Sequence, residues 1–232
     1  PPIRTAPHRP RPIRDRAKSG RAHPRPTSRR QPAPLRRPGR RAGHPATAEA
    51  VGNQLGRFHD LRHFECGAPF TIGSLCIQPF SISHDAADPS GFTVTHEGVK
   101  LGIATDLGRA TAVVIEHLKA CHAIILETNH DAEMLIQGPY PWPLKQRIRG
   151  RNGHLSNPDA GSLLTSVLHD DLRHVWLAHL SQENNTPDKA EGEIAPLVEG
   201  LRAELTVCHQ DTPTHVVCLS IFSSALTVSS PS

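Results

Sequence analysis

The chain has 232 residues, with 26 Lys and Arg against 22 Asp and Glu, and 16 histidines. It holds no run of 18 apolar residues to span a membrane, and its N-terminus lacks the apolar core of a secretory signal. The net charge of +4 averages two unlike parts: residues 1–50 carry 14 basic residues, only Asp15 and Glu49 as acids, and 11 of the 22 prolines, which leaves 12 basic and 20 acidic residues in the other 182, a net of −8.

The basic segment shows neither a helical nor a strand period. A stretch such as Arg25–Arg41 cannot bury enough apolar surface to offset its ordering entropy, so residues 1–44 read as a disordered Arg/Pro-rich tract. It is either a solvated tail or an arm that grips nucleic-acid phosphates without sequence preference. A proline about every fifth residue prevents the amphipathic helix of an organelle transit peptide. The five cysteines (Cys66, Cys76, Cys121, Cys208, Cys218) are widely spaced and include no CxxC, which predicts a reduced, cytoplasmic protein. The chain opens on Pro1, the expectation for a fragment or a processed or conceptual product.

Patterning begins near Ala46, with a short helix predicted over Ala46–Gly56. Thr71-Ile72-Gly73 reads as a turn before a strand over Leu75–Ser83. Gly91–Thr95 and Val99–Ala104 read as a hairpin around His96-Glu97-Gly98. Thr111–Lys119 predicts a helix, and the continuous apolar run Ala123–Leu126 a buried strand. A helix over Pro158–Leu168 has Ser156 or Asn157 as its cap. Val175–Ala178 predicts a second buried strand, Pro187–Leu205 a longer helix and His215–Phe222 a closing strand. Strands followed by alternating β and α elements predict an α/β fold, a sheet flanked by helices.

Polar residues gather just after the predicted strands. His84-Asp85 follows the first, Asp106 the second, Glu127, Asn129, His130 and Asp131 the third, and His179, Ser181 and Glu183-Asn184-Asn185 the fourth. Ligands of α/β sheets sit beyond strand ends, so these clusters can converge on a metal or acid–base site, each residue alone reading equally well as loop. Imidazoles with carboxylates suit a borderline cation such as Zn²⁺ or Mn²⁺.

Six segments in order, SHDAADPSG at 83–91, GIATDLG at 102–108, LETNHD at 126–131, GPYPWP at 138–143, GHLSN at 153–157 and LAHLSQENN at 177–185, resemble metallo-β-lactamase-fold hydrolases. The resemblance spans about residues 58–205 and is greatest to the bacterial YycJ/WalJ-type enzymes, themselves similar to tRNase Z. It implies an αββα sandwich of which 45–225 is the C-terminal portion, with 226–232 a tail. It also implies two divalent cations, Zn or Mn, with His84 on the first, His179 on the second and Asp106 bridging them. His154 then matches the histidine near the scissile phosphate, able to protonate the leaving oxygen. Glu127 and His130 are implied to orient the ligands. The alternative for His154 is a helix N-terminal residue satisfied by water.

The His-x-His-x-Asp-His signature of that family is absent from the chain, and His59-Asp60 with His63 has the wrong spacing to replace it. The signature falls where the Arg/Pro tract stands, which gives the expectation that residues 1–44 are out-of-frame or non-native sequence and that an apolar sheet face is left uncovered. The function expected is a metal-dependent phosphodiesterase or nuclease acting on nucleic acid, impaired by the missing ligands. The alternatives are a non-catalytic nucleic-acid binder using the basic arm, or an inactive truncated product.

Overall fold

In the computed structural model, which describes residues 60–219 and the backbone of 40–43, antiparallel strands give way to a βα alternation. β1 (Arg40–Gly43) and β2 (Asp60–His63) form a separate parallel pair. β3 (Phe70–Ile72), β4 (Leu75–Ser81), β5 (Ser90–His96) and β6 (Val99–Ala104) pair antiparallel in succession. β7 (Ala123–Glu127), β8 (His174–Ala178) and β9 (Glu204–Val207) then add in parallel, so that seven strands lie in chain order from β3 to β9. Glu97 and Gly98 join β5 to β6 with φ of 46° and 81°, the left-handed pair that a two-residue hairpin turn requires.

α1 (Ala112–Leu118) connects β6 to β7. α2 (Ala132–Gln137), α3 (Trp142–Ile148) and α4 (Asn157–Thr165) lie between β7 and β8, and α5 (Pro187–Val198) leads to β9. Thr111, Asp131, Ser156 and Thr186 each accept a first-turn N–H with the side chain, at α1, α2, α4 and α5. Such caps contribute about 1 kcal/mol each. Because the parallel strands advance in one direction across the sheet, right-handed crossovers put the connecting helices on one face. There Val114 and Leu118 of α1, Leu163 and Leu164 of α4, and Ile194 of α5 close over Phe80, Ala104, Ile124, Leu126, Val175 and Leu177.

The register lines the opposite face with two cross-strand rows, Ile77–Val94–Leu101–Ala123–His174 and Pro79–Phe92–Ile103–Ile125–Trp176. Ile77, Val94, Leu101, Phe92, Ile103, Ile125 and Trp176 are only partly buried. Among the described residues, Phe64 packs there, its ring 5.3 Å from Phe70 and 5.7 Å from Phe92. The described residues thus form one layer of helices on one sheet, with the apolar second face expected of a partial sandwich.

Several elements depart from the sequence expectation. Phe70–Ile72 is a strand, and the turn begins at Gly73, whose φ is 60°. Arg40–Gly43, inside the tract read as period-free, pairs with β2. α4 ends at Thr165, and α5 ends at Val198 rather than Leu205. Gly200, at φ 82°, turns the chain so that Glu204–Val207 becomes a strand. Residues 213–219 form no strand. The helix expected over 46–56, the boundaries at 44/45 and 225/226 and the end of the closing strand lie outside the described residues.

Candidate metal centre

Two antiparallel pairings separate β4 from β6, so β4 runs in the same direction as β6, β7 and β8. Their C-terminal ends therefore share one edge of the sheet, and His84, Asp106, Glu127 and His179 meet there. Asp106 and His179 adopt left-handed backbone, with φ of 57° and 60°. Such conformations cost of order 1 kcal/mol or more for residues with a Cβ, and they aim these two side chains back over the strand ends. His154 arrives from the other side, on the segment leading into α4.

Its position is set by close backbone approach. A Cβ on Gly153 would collide with the carbonyl oxygens of Arg147 and Ile148, and one on Gly108 with the Arg151 carbonyl. Gly108 N–H also donates to Ser83 O at 2.7 Å, and Asp85 N–H to Asn152 O at 3.0 Å. The loops bearing His84, Asp106 and His154 are thereby packed onto one another.

Glu127 organises the interior of the cluster. It is fully buried, and its Oε1 accepts from His154 Nδ1 at 2.7 Å and from His179 Nδ1 at 2.6 Å. Its Oε2 accepts from the N–H groups of Leu107 at 2.7 Å and Leu155 at 3.3 Å. Burial raises the Glu127 pKa, but the bonds from His154, His179 and Leu107 outweigh it and hold the carboxyl below its usual range. The same bond raises the pKa of His179 against the opposing effect of burial. His84 Nδ1 lies 3.0 Å from Gly153 O.

A carbonyl and a carboxylate can only accept, so each Nδ1 carries a proton, and in the neutral ring Nε2 is the nitrogen with the lone pair. Asp106 Oδ1 stands 3.8 Å from His84 Nε2 and 3.6 Å from His179 Nε2. These distances are too long for hydrogen bonds and suit donors sharing a cation with bonds of about 2 Å. His84, Asp106 and His154 offer ligand atoms within 4.8 Å of one another, as do Glu127, His154 and His179. In the second group both Glu127 oxygens are already occupied, so it orients imidazoles. The free donors are His84, Asp106 and His154, which lie within mutual reach and fit one divalent ion, and His179, which approaches that group at Asp106.

These groups open onto a cleft of about 690 Å³ also lined by Tyr140, Leu144, Arg147 and Ile148. A larger cleft of about 850 Å³ lies near the N-terminal ends of β8 and β9, beside His174 and Glu204, but gathers no such donor cluster among the described residues. The structure places five of the six sequence-selected site residues together and sets the sixth apart. His130 is buried with Nδ1 unpartnered and makes no hydrogen bond to the cluster; burial lowers its pKa to about 4. His154, selected as an acid, stands among the ligand-capable donors.

The segment after β7 stitches the site's two sides together. Thr128 N–H donates to Ala178 O and Ser181 N–H to Asn129 O, while Asn129 N–H donates to Leu155 O and Asn157 N–H to His130 O. Asn157 and Asn185 exchange two buried amide bonds of 2.9 Å, and Asn185 also donates to Thr128 O. Sequence reading missed Asp85 and Arg147, joined by a short Nε–Oδ2 ion pair at the cleft. It noted Asp85 only as a neighbour of His84, and nothing in the local pattern marks Arg147.

No family model matches the chain. It is 36% identical over 136 residues to an exodeoxyribonuclease YycJ of Bacillus anthracis, covering 59% of this chain and 52% of that protein. It is 35% identical over 127 residues to an exodeoxyribonuclease WalJ of Streptococcus pneumoniae, covering 55% and 47%. The chain thus spans about half the length of the curated relatives it matches. Among solved structures, the metallo-β-lactamase-fold protein YhfI of Bacillus subtilis superposes with a TM-score of 0.55 at 17% identity, covering 73% of this chain and 61% of that one. Zn²⁺-bound PqqB of Methylobacterium extorquens gives 0.51 at 16% identity, covering 74% and 63%. The chain carries the metallo-β-lactamase fold and, over about 130 residues, is similar in sequence to the YycJ and WalJ exodeoxyribonucleases.

Proposed function

We propose that the chain is the cation-binding C-terminal part of a metal-dependent phosphodiesterase that acts on nucleic acid. The observation that carries this reading is the fixed orientation of three imidazoles, each with Nδ1 bonded to an oxygen acceptor and Nε2 directed with Asp106 toward one cleft. The exodeoxyribonuclease relatives supply the substrate class. A Zn²⁺ or Mn²⁺ held there would supply a water that ionises near neutral pH and would polarise a phosphoryl oxygen.

The chain's own groups divide the remaining work. His84 and Asp106 would hold an ion, with His179 on the other side of Asp106, and Glu127 keeps the Nδ1 atoms of His154 and His179 engaged so that Nε2 is the atom left for a cation. His154 Nε2 faces the cleft, where it can complete the ion's shell or pass a proton to the leaving oxygen. His84, Asp106 and His154 would serve one ion; a second, as in the two-cation family pattern, would need further ligands beside His179 and Asp106. The free state of all five cysteines fits a reducing compartment, the cytoplasm. No helix among the described residues is long and apolar enough to cross a membrane.

Metal analysis together with hydrolysis of bis-p-nitrophenyl phosphate and a DNA strand tests the reading. About one Zn or Mn per chain is expected, with bound metal lost in His84→Ala and Asp106→Ala. A chain that retains its metal in both variants overturns the site, and absence of hydrolysis in the metal-loaded protein overturns the activity.

A further inference from the structure

Tyr140 of the GPYPWP segment and Leu144, Arg147 and Ile148 of α3 line the same cleft as the cation cluster, and nothing so far gives them a task. Tyr140 lies between Pro139 and Pro141, so its backbone has little freedom before any ligand arrives. Lys145 fastens the segment from beneath: it is buried, and its Nζ donates to Ile136 O at 2.6 Å and to Gly138 O at 2.7 Å. Tyr140, Leu144 and Ile148, four residues apart, present one aromatic and apolar strip to the cleft. The Tyr140 hydroxyl has no protein hydrogen bond among the described residues.

Arg147 stands beside this strip. Asp85 Oδ2 receives its Nε, while its Nη groups have no protein hydrogen bond among the described residues, and the side chain is 67% exposed. The result is a planar fork held in place at one nitrogen, with the rest presented to a cleft that also contains His84 and His154. The apolar strip suits a flat ring and the fork suits a phosphate. Both line the same cleft as the groups proposed to hold the scissile phosphate, and Arg147 reaches it through Asp85, the neighbour of His84.

We infer that Tyr140 and Arg147 form the subsite for the nucleotide next to the scissile bond of a single-stranded nucleic acid, Tyr140 stacking on the base and Arg147 binding the adjoining phosphate. Both are positioning residues, and the inference rests on the phosphodiesterase reading above. A duplex is excluded from this subsite because its base faces are already stacked.

Fluorescence anisotropy of a labelled oligothymidine on the full chain in excess EDTA tests the subsite without turnover or bound metal. Tyr140→Ala is expected to weaken binding about 5- to 150-fold, the range for losing one base–aromatic stack, and Tyr140→Phe to leave it within about twofold. Arg147→Ala is expected to lower the salt slope of log affinity by about 0.7, the value for one phosphate on a single strand. An abasic strand is expected to be indifferent to Tyr140→Ala. Wild-type chain that binds no oligothymidine, a Tyr140→Ala variant that binds like wild type, or an abasic strand equally weakened by that change overturns the subsite. Hydrolysis of bis-p-nitrophenyl phosphate by the metal-loaded chain separates the two readings. Hydrolysis without Tyr140-dependent binding removes the subsite alone, whereas Tyr140-dependent binding without hydrolysis removes the enzyme reading and leaves a nucleotide site.

Discussion

Replacing Glu127 by Gln isolates the contribution of imidazole tautomer to cation binding. The amide has the same shape, and its oxygen can still accept from Leu107 and Leu155, so the loops stay packed. The –NH₂ then faces His154 and His179, where the carboxylate oxygen had accepted both Nδ1–H groups. An amide nitrogen donates, so each ring keeps a bond only by moving its proton to Nε2, the atom that must be bare to bind a cation. Hydrogen bonds to a charged group contribute about 1.5–3 kcal/mol each, and restoring the binding tautomer forfeits two of them in part. The expected loss of Zn²⁺ affinity is about 10- to 100-fold, the range for ligand-orienting partners. Competition with a chromophoric chelator measures it, and ¹⁵N chemical shifts of the histidines report where the proton sits. Wild-type affinity in a Gln variant whose Nδ1 atoms remain protonated would refute the argument.

Three further outcomes follow from neighbouring features. Gly153→Ala forces the backbone away from the Arg147 and Ile148 carbonyls and shifts His154, so cation affinity falls at least tenfold; a wild-type chelator titration contradicts this. Asn185→Ala leaves Thr128 O and the Asn157 amide unpaired in the interior and costs about 1–3 kcal/mol in urea unfolding, against no change if the pair is incidental. His130 is held neutral, its pKa moved from 6.5 to about 4, so the unfolded chain takes up this proton first as pH falls. The associated stability is complete above pH 6.5 and is lost as pH falls toward 4, amounting to about 2 kcal/mol between pH 7 and pH 5. His130→Leu flattens that part of the urea-midpoint profile, and an unchanged slope places the acid sensitivity elsewhere.

The strand ends were legible because short apolar runs such as Ala123–Leu126 stop abruptly at carboxylates and imidazoles, and the sheet then gathers those stops at one edge. The hairpin was legible from Gly98, since few other residues accept its backbone. Convergence of His154 was not legible from residue period, because it depends on two glycines that let loops 43 residues apart in Gly108 and Arg151 touch. The role of Glu127 was implied by resemblance, but its sharing between two rings is a matter of atoms. His130 has the composition of a site residue and the environment of a core one, and only burial tells them apart. α5 ran long on the page because Leu197, Val198 and Leu201 continue its apolar pattern through Gly200, where the left-handed turn breaks it.

The stitching of residues 127–131 to both flanking loops has a consequence for timing. The backbones around His154 and His179 are fastened to the same short segment through bonds at Thr128, Asn129, His130 and Ser181, so a shift of one loop is expected to pull on the other. Separation of the two loops is then expected to release the seam as a unit. Amide protons of Thr128, Asn129, Asn157 and Ser181 should then exchange with solvent at one common rate. Escape of a trapped ion should be limited by that rate, not by the breaking of any single bond to it.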